Sequence, residues 1–166
     1  LGAAALNEVV PAALALIDED KRPATGHQSG RNKEHETQQA YEEAGVKAWV
    51  VEFIDDMAEA YSWADLMICR SGALTISELA AAGVASILVP YPFAVDDHQT
   101  LNARYLADKG AAVILQQQDM SAAVVAQKIR NLDYDRLLHM AQKARLLARS
   151  GATSQVVGIC ERVMMR

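Results

Sequence analysis

The stretch ADLMICRSGALTISELAAAGVASILVP, Ala64 to Pro90, decides the fold. Leu66 to Cys69 is an unbroken apolar run, too short for a helix and bounded by polar residues. Arg70-Ser71-Gly72-Ala73 turns the chain, and a helix is predicted from about Leu74 or Thr75 to Ala82, with Gly83 as its stop. Ser86 to Val89 is a second apolar run, closed by Pro90. Short strands apolar on both faces, separated by about ten helical residues, imply parallel strands joined by crossover helices.

The same alternation extends both ways. Downstream, a loop rich in proline and aspartate leads to a helix over Gln99–Asp108, stopped by Gly110, and then to a strand over Ala112–Leu115. Beyond Met120 the pattern is all helical: Ser121–Asn131, Tyr134–Ala148 and Ser154–Met165. Upstream lie a helix over Asp56–Ala64, a strand over Trp49–Phe53 and a polar helix over Asn32–Ala44, ended by Gly45. Ala24–Gly30 is a poor strand because of Pro23 and Gly26. Leu6, Val9, Val10, Ala13, Leu14 and Ile17 recur at helical spacing. The prediction is an α/β domain, a Rossmann-like doubly wound parallel sheet with flanking helices and a helical C-terminus. Residues 1–150 form the domain and 151–166 a terminal helix. Val156, Val157, Ile159, Cys160, Val163 and Met164 give that helix a broad apolar surface, expected to lie exposed or to pair with another chain.

Composition narrows the function. A chain of 166 residues with 51% apolar content can bury a core without disulfides or metal. A net charge of -5 argues against nucleic acid as a partner. Cys69 and Cys160 have no CxxC spacing, so a reducing compartment is the default and Cys69 is expected to be a buried thiol. No apolar run approaches a membrane span, and no signal-peptide pattern is evident. Leu1 opens the chain inside a pattern, so the sequence reads as a piece of a longer protein.

In open parallel sheets ligands bind beyond the carboxyl ends of the strands. Three junctions qualify: 53–57, 69–78 and 89–100. At 69–78, Gly72 permits close backbone approach, and the amides of Ala73 to Ile76 at a helix start favour an anion. Thr75 adds a hydroxyl and Arg70 a positive charge. Glu78, one turn on, could accept both hydrogens of a ribose cis-diol. Thr75-Ile76-Ser77-Glu78 equally fits a capping box, with Glu78 returning to the N-cap amide. Spacing does not choose between them.

In YPFAVDDHQTLNARYL (91–106), Gln99 suits sugar hydroxyls, while Asp97 could cap the helix and His98 could simply be exposed. In EFIDDMAEAYSWADL (52–66), the backbone of Phe53 and Ile54 could read a base, Asp55 or Asp56 caps the next helix, and Tyr61 and Trp63 read as core or interface aromatics. His27 in GHQSGR (26–31) could orient a phosphate or fix a loop. The four histidines have no metal-ligand spacing, and no P-loop, GxGxxG or nucleophile elbow is present.

Taken in order, HQSG, EFIDDMAEAY, RSGALTISE and DDHQTLNA resemble the C-terminal half of the MurG family of peptidoglycan glycosyltransferases, and GAAALNEVVP resembles that family just after its glycine-rich phosphate loop. The resemblance implies a GT-B fold, two Rossmann-like domains facing a cleft. It implies an inverting transfer of N-acetylglucosamine from UDP-GlcNAc to lipid I, giving lipid II at the cytoplasmic face of the bacterial inner membrane. Ile54 would touch uracil through its backbone. Ala73, Leu74 and Thr75 would meet the diphosphate within the turn Arg70-Ser71-Gly72 to Ile76-Ser77. Glu78 would hold the ribose, and Gln99 with His98 the sugar. No cofactor is required, with Mg²⁺ assistance left open. Lipid I, the membrane surface and the catalytic base would belong to an N-terminal domain absent from this chain. Of the glycine-rich loop only Gly2 and Ala3 remain, and Arg22 to Gly26 replaces a more apolar strand. Two alternatives remain: another UDP-sugar enzyme of this fold, such as an epimerase, and a non-catalytic nucleotide-sugar-binding module.

Overall fold

Parallel ladders of short strands carry the fold in a computed structural model that describes residues 4–149 and 151–164. The helix α1 (Ala4–Ala15) leads into β1 (Gly26–Gln28), α2 (Glu34–Glu43), β2 (Trp49–Val51), α3 (Met57–Trp63) and β3 (Leu66–Cys69). Then follow α4 (Ala73–Ala82), β4 (Ala85–Leu88), α5 (His98–Ala107), β5 (Ala112–Ile114), α6 (Ala122–Arg130), α7 (Tyr134–Leu146) and α8 (Ala152–Met164). Gly2 and Ala3, the expected remnant of a phosphate loop, lie outside the described residues.

One expectation needs correction. Instead of a single continuous sheet, β1 pairs with β2 while β3, β4 and β5 form a separate ladder, all parallel. Two strands join only by a ladder of backbone hydrogen bonds, and among the described residues none links β1 or β2 to β3. Shared packing holds the halves together: α1 contributes Leu6, Val10 and Leu14 to a core that also contains Val50 of β2 and Ile87 of β4.

β4 is the central strand of its ladder and is buried along its whole length. Side chains alternate between two cores along it and the next residue: Ile87 and the following Val89 belong to the core beneath α1, Leu88 to the one beneath α4, α5 and α7 with Leu79, Leu106 and Ala144. A period of two with both faces covered produces the continuous apolar run seen in the sequence.

The weak strand expected over 24–30 is only Gly26–Gln28. Arg22 is drawn away to cap the end of α1, donating from Nε to the Ile17 carbonyl at 2.9 Å and from Nη1 to that of Gly45 at 3.0 Å. Asp56 is the aspartate that caps α3, its Oδ1 accepting from the Glu59 amide at 2.9 Å. Asp97 stands at the N-cap of α5 in a left-handed conformation, with φ of 50°, and its side chain accepts no first-turn amide, so it does not cap the helix. On α8, Val157, Ile159, Val163 and Met164 are exposed, as is Cys160, whereas Val156 and Met165 lie outside the residues whose side chains are described. Among the described residues no helix is long and apolar enough to cross a membrane.

Candidate functional site

The carboxyl end of β3 runs straight into α4 through Arg70, Ser71 and Gly72. Gly72 occupies the N-cap with φ -62° and ψ 151°, so the helix begins at Ala73, earlier than expected. The Ile76 amide closes the first helical bond onto the Gly72 carbonyl at 3.0 Å. Ile76 therefore leaves the set of anion-binding amides predicted from sequence, and its side chain is buried with Leu79 and Ala80 against the sheet. The amides of Ala73, Leu74 and Thr75 have no hydrogen-bond partner among the described residues. Three orphan donors and the positive end of the helix dipole converge there, which suits an anion. Ser77 donates its hydroxyl back to the Ala73 carbonyl at 3.0 Å and so serves the helix itself.

Neither the conformation nor the packing of the protein demands glycine at position 72. Its dihedrals suit any residue, and a Cβ there would meet only Thr75 Oγ1, at 3.7 Å. The space such a methyl would fill is open and lies beside the three unpaired amides. A group close to the backbone would occupy that space.

The turn is held from below. Ser71 is fully buried and donates Oγ to the Gln99 carbonyl at 2.8 Å, while Asn102 donates Nδ2 to the Ser71 carbonyl at 3.1 Å. Arg70 is directed away from the helix start. Its guanidinium donates to the Val89 and Pro90 carbonyls, both at 3.2 Å, and to Gln117 Oε1 at 2.6 Å, and lies over the Tyr91 ring. Arg70 thus clamps the ends of β3 and β4 together, and its charge reaches an anion through space only. Cys69, next in line, is half-buried rather than fully buried as expected, and desolvation of its thiol pushes the pKa up to about 12, so it is a poor nucleophile.

Glu78 does not form the capping box. Its Oε2 accepts a hydrogen bond from the Tyr61 hydroxyl at 2.9 Å, across from α3, and it faces an open groove of about 400 Å³ between α3 and α4. The Ile54 amide is engaged by Gln28 Oε1 at 2.9 Å, a contact that sequence reading missed. Gln99 Oε1 accepts from the Tyr91 amide at 3.0 Å, and His98 uses Nδ1 on the Val95 carbonyl at 2.7 Å. Both side chains are thereby tied to the 91–97 loop. His27 fixes its loop: Nδ1 meets the Tyr41 hydroxyl at 2.8 Å and Nε2 meets Asn7 Oδ1 at 3.0 Å. Among the described residues no three His, Cys, Asp or Glu side chains are grouped to hold a metal ion.

The profile of the glycosyltransferase family 28 C-terminal domain matches residues 1–157. The chain belongs to that family. Among curated relatives of this family 28 domain, a protein of Burkholderia mallei (strain SAVP1) is 52% identical across 98% of the chain and 46% of its own length. One of Aromatoleum aromaticum is 53% identical across 97% and 45%. Both are named UDP-N-acetylglucosamine--N-acetylmuramyl-(pentapeptide) pyrophosphoryl-undecaprenol N-acetylglucosamine transferase. The crystal structure of MurG from Acinetobacter baumannii superposes with a TM-score of 0.90 at 48% identity, covering 98% of this chain and 47% of that one. A glycotransferase of kitacinnamycin, at 18% identity and a TM-score of 0.67, covers 93% of this chain and 38% of its own, and shares the fold alone. The family 28 chain spans about half the length of the curated relatives it matches.

Proposed function

We propose that this chain is the donor-binding half of an inverting glycosyltransferase that moves N-acetylglucosamine from UDP-GlcNAc to lipid I, forming lipid II. The observation that carries the reading is the open first turn of α4. Three unpaired amides stand beside the methyl-sized space at Gly72, and the Glu78 carboxylate faces a groove one turn further on. A diphosphate at the amides brings an attached ribose toward Glu78. The names of the relatives supply the donor and acceptor.

The chemistry of this half is electrostatic. Transfer with inversion requires stabilisation of negative charge on the β-phosphate as the sugar leaves, and preoriented amides at a helix start provide it without reorganisation. Arg70 adds long-range positive potential from its clamp. Gln99 and His98 would meet the sugar from the α5 side. The Ile54 backbone would read uracil, with Gln28 giving up the amide as the base arrives. Acceptor activation and the membrane surface belong to the remainder of a longer protein, working at the cytoplasmic face of the bacterial inner membrane. The apolar face of α8 would promote self-association of this chain alone; a monomer at high concentration in sedimentation would overturn that.

Titration of UDP, UDP-GlcNAc and UDP-glucose by calorimetry tests the reading. Weak binding of uridine ligands without lipid II formation is expected. Glu78→Ala should weaken every uridine ligand, and Gln99→Ala only those bearing the sugar. Equal losses for UDP and UDP-GlcNAc in Gln99→Ala would refute the sugar assignment. Absence of binding by any of them would favour a non-catalytic module, and sugar inversion by this chain alone an epimerase. UDP affinity should survive EDTA; its loss would show that Mg²⁺ takes part.

A further inference from the structure

A carboxylate grips a cis-diol well only if it is aimed before the ligand arrives. Glu78 is on the exposed side of α4, on a side chain with several free torsions, and each torsion frozen on binding costs affinity. What aims it is on the neighbouring helix. Tyr61, in α3, is 8% exposed, and its ring belongs to the core formed by Ile76, Leu79 and Ala80 of α4. The phenol cannot swing out without opening that core. Its hydroxyl meets Glu78 Oε2 at 2.9 Å.

We propose that Tyr61 is a positioning residue for nucleoside binding, resting on the reading above of Glu78 as the ribose grip: its hydroxyl, fixed in the core, holds one carboxylate oxygen so that the other faces the ribose cis-diol. An ionised carboxylate only accepts hydrogen bonds and offers about four lone-pair positions, so one donor on Oε2 leaves Oε1 and a spare lone pair for two ribose hydroxyls. The donor is dependable. Burial raises the Tyr61 pKa, and the bond to Glu78 and its charge raise it further, so the phenol keeps its proton across the working range. Bonds to an ionised partner are shorter and stronger than neutral ones, and this one suffices to select a rotamer. The S/T-x-x-E pattern does not close as a capping box because the N-cap is Gly72, three residues before Thr75, which leaves the Glu78 carboxylate free for Tyr61. Glu78 is held sideways by α3, and α4 starts at Gly72 with its first amides open.

Calorimetric titration of UDP and of 2′,3′-dideoxy-UDP into the chain, Tyr61→Phe and Glu78→Ala separates this claim from the one beneath it. The unsubstituted chain should prefer UDP, and Glu78→Ala should erase the preference. Tyr61→Phe should lose roughly tenfold in UDP affinity with no change for the dideoxy ligand. A merely structural tyrosine would weaken both ligands equally, and that result overturns the proposal. Full retention of the diol preference in Tyr61→Phe, with its loss in Glu78→Ala, overturns the role of Tyr61 and leaves the ribose grip standing. Persistence of the preference in Glu78→Ala removes the ribose grip and the positioning role together. Should Tyr61→Phe not fold, a crystal structure of the unsubstituted chain with UDP decides between the same outcomes. The phenol on one Glu78 oxygen and the diol on the other supports the proposal; a phenol turned away from Glu78 refutes it.

Discussion

The dipeptide Ser-Gly follows a parallel strand twice in this chain, at Ser29-Gly30 after β1 and at Ser71-Gly72 after β3, with opposite outcomes. Both serines are buried and both donate Oγ across to a neighbouring carbonyl, Ser29 to Val51 at 3.0 Å and Ser71 to Gln99 at 2.8 Å. The glycines differ. Gly30 has φ +83°, a left-handed conformation that sends the chain into a turn before α2 begins at Glu34. Gly72 has ordinary dihedrals and opens a helix immediately. The first glycine is required by the backbone, and the second is not. An identical motif is structural in one half and, in the function proposed above, leaves room for the donor's diphosphate in the other.

Four measurements would break or sharpen that contrast. The largest effect belongs to the first turn, where burial holds His27 neutral and lowers its pKa from 6.5 to about 4. The unfolded chain takes up the proton first, so stability is complete above about pH 6.5 and declines as the pH falls toward 4, by about 3 kcal/mol in all. Urea unfolding across that range should show the decline in the natural chain and a flatter profile in His27→Gln. The second effect is at the residue preceding the other turn: Arg70→Ala should lower unfolding free energy by about 2–3 kcal/mol, since carbonyls and Gln117 lose a charged donor. Arg70→Lys should restore little, because a single ammonium cannot span the acceptors.

The glycines themselves come third. Gly30→Ala should cost about 1–2 kcal/mol of stability through its left-handed φ and leave UDP affinity unchanged. Gly72→Ala should leave stability within about 0.5 kcal/mol while weakening UDP roughly tenfold, or about 1.4 kcal/mol. Reversal of that pair, with binding lost at Gly30 and stability at Gly72, would contradict the contrast. The smallest effect concerns Gln28, which occupies the Ile54 amide. Gln28→Ala should tighten uridine ligands by about fivefold if the carboxamide competes with the base, since a neutral hydrogen bond is worth about 1 kcal/mol net. Weaker binding would make Gln28 a support for the base instead.

Much of this was legible in the residues. Leu66–Cys69 and the run after Gly83 announce parallel strands because full burial on two faces leaves no polar alternation, and Asp56 announces its cap by preceding a helical run. The resemblance carried by RSGALTISE pointed to the right family. Side-chain direction was not legible. Arg70 reads as a phosphate ligand until β4 and the segment at Gln117, 47 residues away, supply its acceptors. Glu78 reads as a cap until the helix is seen to start at Gly72, and its partner Tyr61 comes from α3, 17 residues upstream. Helical periodicity determines which face of a helix is buried, whereas partners across helices follow from how whole elements pack. The division into two ladders was hidden for the same reason, since each strand looks equally apolar whether or not its neighbour is present.

The unequal burial of the two thiols has a practical consequence. Cys69 is half-buried and its desolvated thiol keeps its proton, while Cys160 is exposed on α8. A maleimide dye should therefore attach at one place only, far along the chain from the α4 turn. That gives a native fluorescent handle for following ligand uptake or pairing between molecules, with no engineered cysteine.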